Sequence, residues 1–261
     1  MSYGDLENRL RNGGVVLLDG GTGTELERRG VSMDAEAWSG TAALKNGAVL
    51  ESIHRDYIAA GADIITANTY ASSRLLLEPA GLGDQFEEIN RAAIGAAHRA
   101  RQSSAKAGIL VAGSLSHQIS YASGLARTGR DPTLAPSALG EAFGELAMLL
   151  RDEGCDLILL EMMYYPERMA AAFTADLATG LPVWAGLSVR HGENGEMLGH
   201  DAVREIPYSE MLAVLQDFDV AAAGIMHSPA HVTGEAIELL KSVHDGPLLA
   251  YPDSGYFAAP Q

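Results

Sequence analysis

The chain has 261 residues, 47% of them hydrophobic, enough to bury a large core and within the size range of a one-domain α/β barrel, so residues 1–261 are expected to form one unit. Lys and Arg number 18 against 34 Asp and Glu, a formal charge of -16, which repels nucleic acid and anionic membrane surfaces at long range. One Cys excludes an internal disulfide framework, and there is neither a signal-like start nor an apolar run of the ~20 residues that span a bilayer, so the protein is expected in the cytoplasm.

The first apolar run, 15–18, leads into Asp19-Gly20-Gly21-Thr22-Gly23-Thr24. The glycines allow a tight turn off a strand and close approach of a ligand to the backbone. Thr24 to Glu27 has capping-box spacing, and Gly30 is placed to end a short helix. Spacing alone supports a Gly-rich βα turn, and it is not the dinucleotide-binding pattern.

Six further runs rich in Val, Ile and Leu follow at 64–67, 109–112, 157–160, 183–189, 220–225 and 248–251. They are too continuous for one-sided strands and suit a parallel sheet buried on both faces. Between them lie apolar stripes of helical period: Leu50, Ile53, Tyr57 and Ile58; Leu139, Phe143, Leu146 and Leu150; Met211, Leu212, Leu215 and Phe218. The longest irregular stretch, 116–136, reads as a loop over the active face.

Strand and helix therefore alternate as βαβ units. Polar residues follow the apolar runs: Asp19, Asn68, Ser114, Glu161, Arg190, His227 and Asp253. In a (β/α)8 TIM barrel those positions share the carboxyl face that carries the chemistry. Seven strands are found in the 261 residues, so the eighth strand and helix are expected to be missing and two sheet edges to be exposed, an association hazard that admits a homo-oligomer.

Four segments, DGGTGTELERRG (19–30), AGADIITANTYAS (60–72), GCDLILLE (154–161) and YPDSG (251–255), occur in the order of landmarks of the homocysteine S-methyltransferase family, which the chain resembles over nearly its whole length. The resemblance implies a (β/α)8 barrel whose zinc ion binds homocysteine as thiolate for attack on a methyl donor. By position it assigns Asp19 and Glu161 to the acceptor's amino end, Gly20 and Gly21 to the pocket backbone, and Asn68, Thr69 and Tyr70 to the donor side. The residues alone leave other roles open: a turn or helix cap for Asp19, an ion pair with an Arg for Glu161, a core position for Tyr70.

The metal is where the chain departs from that pattern. The resemblance implies one Cys after the sixth strand and a Cys pair after the eighth. Here Met226-His227-Ser228-Pro229 places His227 at the first Cys position, and the pair has no counterpart, so zinc is expected only in a form extended past Gln261. Histidine is a competent zinc ligand. Cys155 opens the fourth strand run, six residues and about 20 Å short of the carboxyl face, and is expected to be a buried inert thiol. His117 is the remaining polar candidate for a second ligand, ahead of His231, His191 and His200.

The implied function is methyl transfer from a sulfonium or quaternary ammonium donor, S-methylmethionine by analogy, to a metal-activated small-molecule thiol. Two alternatives stand beside it. One is a repurposed member that binds a small amino acid-like ligand without zinc; the other is a lyase or hydrolase using Asp19 and Glu161 as acid and base.

Overall fold

The computed structural model describes residues 2–34, 37–119, 134–201 and 204–253. Helices α1 (Tyr3–Arg11), α2 (Thr22–Arg28) and α3 (Ala42–Ala60) precede β1 (Ile64–Thr66). Then come α4 (Arg74–Leu77), a 3-10 turn (Gly83–Gln85), α5 (Phe86–Ser103), β2 (Leu110–Ser116), α6 (Pro136–Asp152), β3 (Leu157–Met163) and α7 (Pro166–Leu177). The series closes with β4 (Val183–Leu187), β5 (Val189–His191), β6 (Met197–Gly199), α8 (Tyr208–Gln216), β7 (Ala222–Pro229), α9 (Ala230–Leu240) and β8 (Leu248–Asp253).

Six strands pair in parallel in the order β1-β2-β3-β4-β7-β8, and Leu18 bridges to Ile64 outside β1. The expected 15–18 strand thus takes its place at the sheet edge, reduced to one bridge. The curled sheet is TIM-barrel-like. Among the described residues no pairing joins the 15–18 segment to β8, and Val15, Leu17 and Leu248 on those two edges are 68%, 50% and 42% exposed.

Alternation along each strand builds two cores. Ile64, Leu110, Ala112, Leu157, Leu159 and Trp184 pack inside the curl, joined by Leu6 of α1, and Tyr3 accepts a 2.9 Å hydrogen bond from the Trp184 indole. Helix α1 therefore plugs the amino end. Ile65, Val111, Ile158, Leu160, Val183 and Ile225 face the helices, where Phe143, Leu146 and Phe173 cover them.

The helix-to-strand entries repeat a device. Gly61-Ala62-Asp63 and Gly154-Cys155-Asp156 each use a left-handed glycine, φ 115° and 81°, to end a helix. The aspartate then accepts the backbone N–H of the neighbouring strand, Asp63 from Leu17 at 3.0 Å and Asp156 from Val111 at 2.8 Å. Arginine and lysine neutralise both carboxylates: Arg9 and Lys106 at Asp63, Arg101 at Asp156.

Three expectations are corrected. The 183–189 run is not one strand: Ser188 turns its hydroxyl to the Met226 carbonyl at 2.7 Å, and the chain leaves the sheet to form the antiparallel β5–β6 hairpin. Helix α2 is not capped by Thr24; it starts at Thr22 after Gly21, with no side-chain cap, because the turn is made by backbone alone. Phe218 lies past the end of α8 and packs edge-on against Phe173 at 5.2 Å. Residues 120–133, most of the expected loop, lie outside the described residues. No helix among the described residues is long and apolar enough to cross a membrane.

Candidate active site

At the carboxyl end of the strands a cavity of about 180 Å³ is lined by Asp19, Gly20, Gly21, Asn68, Tyr70, Glu161 and His227, together with Thr66, Trp38, Met162, Met226 and Tyr251. The three residues expected to converge, Asp19, Glu161 and His227, share this wall.

Asp19 follows the bridge at Leu18 and is buried. Its carboxylate accepts the Thr66 backbone N–H at 2.6 Å and the Thr66 hydroxyl at 2.8 Å. It caps no helix. Burial pushes its pKa up to about 7; the two Thr66 hydrogen bonds oppose that rise and the nearby charge of Glu161 adds to it.

Among the described residues no arginine pairs with Glu161. The Ser114 hydroxyl donates to one of its oxygens, and His227 Nε2 lies 3.2 Å from the other. On its far side, His227 Nδ1 is 3.8 Å from Asp253. Burial pulls the His227 pKa down, but the Glu161 hydrogen bond and charge, with Asp253 behind, hold it above its ordinary value. The imidazole therefore leans toward its cationic form.

Two slips in the sheet aim these side chains. Pairing shifts between Leu160 and Met163 on β3 and between Met226 and Pro229 on β7. Met162 and His227 there adopt left-handed backbone, φ 54° and 45°. A regular strand sends consecutive side chains to opposite faces; the bulges let Glu161 and Met162, and Met226 and His227, face the cavity together.

The glycine turn supplies room. A Cβ on Gly20 would meet the Tyr57 ring at 2.7 Å, and one on Gly23 would meet Cη2 of Trp38 at 2.2 Å. Trp38 stands edge-on to Tyr70, ring centres 6.2 Å apart, and Tyr70 lies 6.4 Å from the His227 ring. On the other flank the Tyr251 ring is 5.7 Å from His227. Asn68 reaches the cavity but is tied to Ser39, donating to its carbonyl at 2.8 Å and accepting its hydroxyl at 3.2 Å.

Thr69 does not line the cavity. It is fully buried, its hydroxyl donating to the Ser114 carbonyl at 2.7 Å and accepting the Ser114 N–H at 3.0 Å, a brace between β1's exit and β2. Arg190 is likewise elsewhere, on the β5–β6 hairpin, donating to the Asp201 carbonyl.

The sequence profile of the homocysteine S-methyltransferase family matches residues 16–261. The chain belongs to that family. It is 26% identical to homocysteine S-methyltransferase 2 of Arabidopsis thaliana over 97% of this chain and 81% of that one. It is 28% identical to a selenocysteine methyltransferase of Astragalus bisulcatus over 93% of this chain and 77% of the relative. The metallated form of the homocysteine methyltransferase MmuM from Escherichia coli superposes with a TM-score of 0.77 at 25% identity, covering 94% of this chain and 86% of that one. Family membership makes the chain a methyltransferase of homocysteine-like thiols.

The described residues do not fit a zinc centre of the kind the resemblance implies. Among them no group of three His, Cys, Asp or Glu could hold a metal ion, and the Nε2 atom of His227 is spent on Glu161. His117 gives no second ligand at the cavity; it is fully buried outside the lining, wedged 4.6 Å from the Tyr164 ring and 5.5 Å from that of Tyr165. Cys155 is buried, and burial pushes its thiol up to about 12, the inert thiol expected.

Trp38, Thr66, Ser114, Met162 and Tyr251 complete the site beyond the residues the sequence assigned to it. Ser114 had been placed at the right strand end; Trp38 stands in a loop with no periodic signal, and Met162 reaches the cavity only through a bulge.

Proposed function

We propose that the cavity binds a homocysteine-like thiol amino acid with its ammonium group between Asp19 and Glu161, and a sulfonium or quaternary ammonium donor against Trp38 and Tyr70. The methyl group passes from the donor to the acceptor sulfur by in-line displacement. The observation that carries this reading is the charge of the wall: a buried carboxyl at Asp19 and a partly buried one at Glu161, with no Lys or Arg among the described lining residues. A carboxylate held away from water is costly without a cationic partner, and each reactant carries a cationic group at neutral pH, the acceptor's ammonium and the donor's sulfonium or quaternary ammonium. Aromatic faces add attraction for an onium methyl group.

Displacement at carbon needs alignment more than covalent help from the protein, and it needs the acceptor as thiolate. A free thiol is ionised to a few per cent near neutral pH. His227, drawn toward its imidazolium form by Glu161 and Asp253, is positioned to favour an adjacent thiolate by its charge. The resemblance implies zinc for this ionisation, and the Escherichia coli relative has a metallated form, but the described residues at the cavity do not fit that ion. A single cysteine, buried and reduced, suits a cytosolic setting.

The pairing of His227 with Glu161 favours a second reading, in which the pocket binds the amino acid without transferring a methyl group. One experiment separates the two. Calorimetric titration of residues 1–261 with homocysteine and with S-methylmethionine is paired with a methyl-transfer assay, each with and without added zinc. Binding with turnover supports transfer; binding without turnover under either condition supports the second reading; failure to bind either amino acid refutes both.

A further inference from the structure

Met162 is a residue that neither the acceptor site nor the methyl transfer has yet used. By strand alternation it would follow Glu161 onto the outer, helix-covered face. The slip between Leu160 and Met163 and a left-handed backbone at φ 54° turn it into the cavity instead. A side chain with a Cβ occupies that backbone region only against steric resistance, and strain of this kind gathers where a side chain is being aimed. Its sulfur sits 3.0 Å from the Tyr70 hydroxyl, which donates to it. The other end of Tyr70 is also pinned, its carbonyl accepting the Ser116 hydroxyl at 2.8 Å. Between these two ties, the ring stands against Trp38.

We propose that Met162 is a positioning residue: its thioether, delivered by the β3 bulge, holds the Tyr70 ring beside Trp38 and so sets the wall that selects an onium methyl donor. This rests on the reading that Tyr70 and Trp38 face the donor. Leucine matches methionine in volume but offers no acceptor, whereas glutamine matches its length and offers an oxygen.

The test compares Met162→Leu, Met162→Gln, Tyr70→Phe and the Met162→Leu/Tyr70→Phe pair. Trp38 emission is read without ligand as the difference from Trp38→Phe, and affinities for S-methylmethionine and homocysteine are measured by calorimetry. Met162→Leu is expected to shift Trp38 emission and weaken S-methylmethionine about threefold, the scale of one weak hydrogen bond, with homocysteine unchanged. Tyr70→Phe should weaken it at least as much, the pair should be no weaker than Tyr70→Phe alone, and Met162→Gln should restore both readouts. Unaltered emission in Met162→Leu overturns the proposal, as do equal losses for both ligands or additive losses in the pair. If the wild-type protein binds no sulfonium, the donor reading fails by itself and the emission of Met162→Leu and Met162→Gln still decides the latch.

Discussion

Replacing Asp19 by asparagine should make the protein more stable above neutral pH while removing its affinity for an amino acid. The Asp19 carboxyl has a folded-state pKa of about 7 against an ordinary 3.8, raised first by burial. Between those values the folded chain holds a proton that the unfolded chain has released, so stability falls as pH rises from about 4 to about 7 and is level beyond. Each tenfold change in proton affinity is worth about 1.4 kcal/mol, so ionised Asp19 costs the folded state about 4 kcal/mol. Asparagine copies the protonated carboxyl: its oxygen can accept the Thr66 N–H, and its amide can donate to the Thr66 hydroxyl, the two contacts Asp19 now makes. Urea unfolding of both proteins from pH 4 to pH 8 isolates the effect, because other carboxylates contribute equally to each. The difference should grow in favour of Asp19→Asn by up to about 4 kcal/mol across that window. Homocysteine affinity should rise with pH toward 7 in the wild type and be weak and flat in the variant. A stability difference that does not change with pH would refute the assignment of a destabilised carboxylate held for a cationic ligand.

Gly23→Ala places a Cβ 2.2 Å from the Trp38 ring, and because that ring is 40% exposed it can swing outward, so Trp38 emission should shift and S-methylmethionine binding fall with little change in thermal midpoint. Gly224→Ala meets the Leu249 carbonyl oxygen at 1.9 Å, backbone that cannot step aside, and should lower unfolding free energy by about 1–3 kcal/mol in urea titrations. Cys155, buried and with its thiol pushed up to about 12, should resist a disulfide reagent in the native protein and react fully in urea, giving a direct count of unfolded chains.

The sheet was legible because strands covered on both faces carry continuous Val, Ile and Leu: six of the seven runs hold strands, and the seventh, 15–18, holds one bridge beside β1. The same signal hid the break at Ser188, since the chain stays apolar as it leaves β4 for the hairpin. Composition cannot report that a serine hydroxyl has tied itself to a neighbouring strand. The acidic residues at strand ends were legible for the converse reason: a carboxylate directly after a buried run has few places to go except the rim. The resemblance segment 68–70 named three neighbours as one group, but alternation sends Asn68 and Tyr70 to the cavity and Thr69 into the brace against Ser114. A bulge breaks that rule without leaving a sequence mark, and so Met162 went unread.

The same two bulges bear on the substitution at His227. A thiolate at that position would place a third negative charge beside Asp19 and Glu161, tolerable when a dication lies between them. With imidazole there, the wall holds Glu161 against a group that leans cationic, a pairing that is self-consistent without a metal. The pair also leaves Asp19 as the least compensated carboxyl among the described lining residues, supported by two hydrogen bonds from Thr66. An incoming ammonium therefore gains most at Asp19, and its binding should lower that carboxyl's pKa and release a proton near pH 6. Calorimetry of homocysteine binding at pH 6 in buffers of different ionisation heat measures that release. If no proton is released there, Asp19 is not the ammonium's partner.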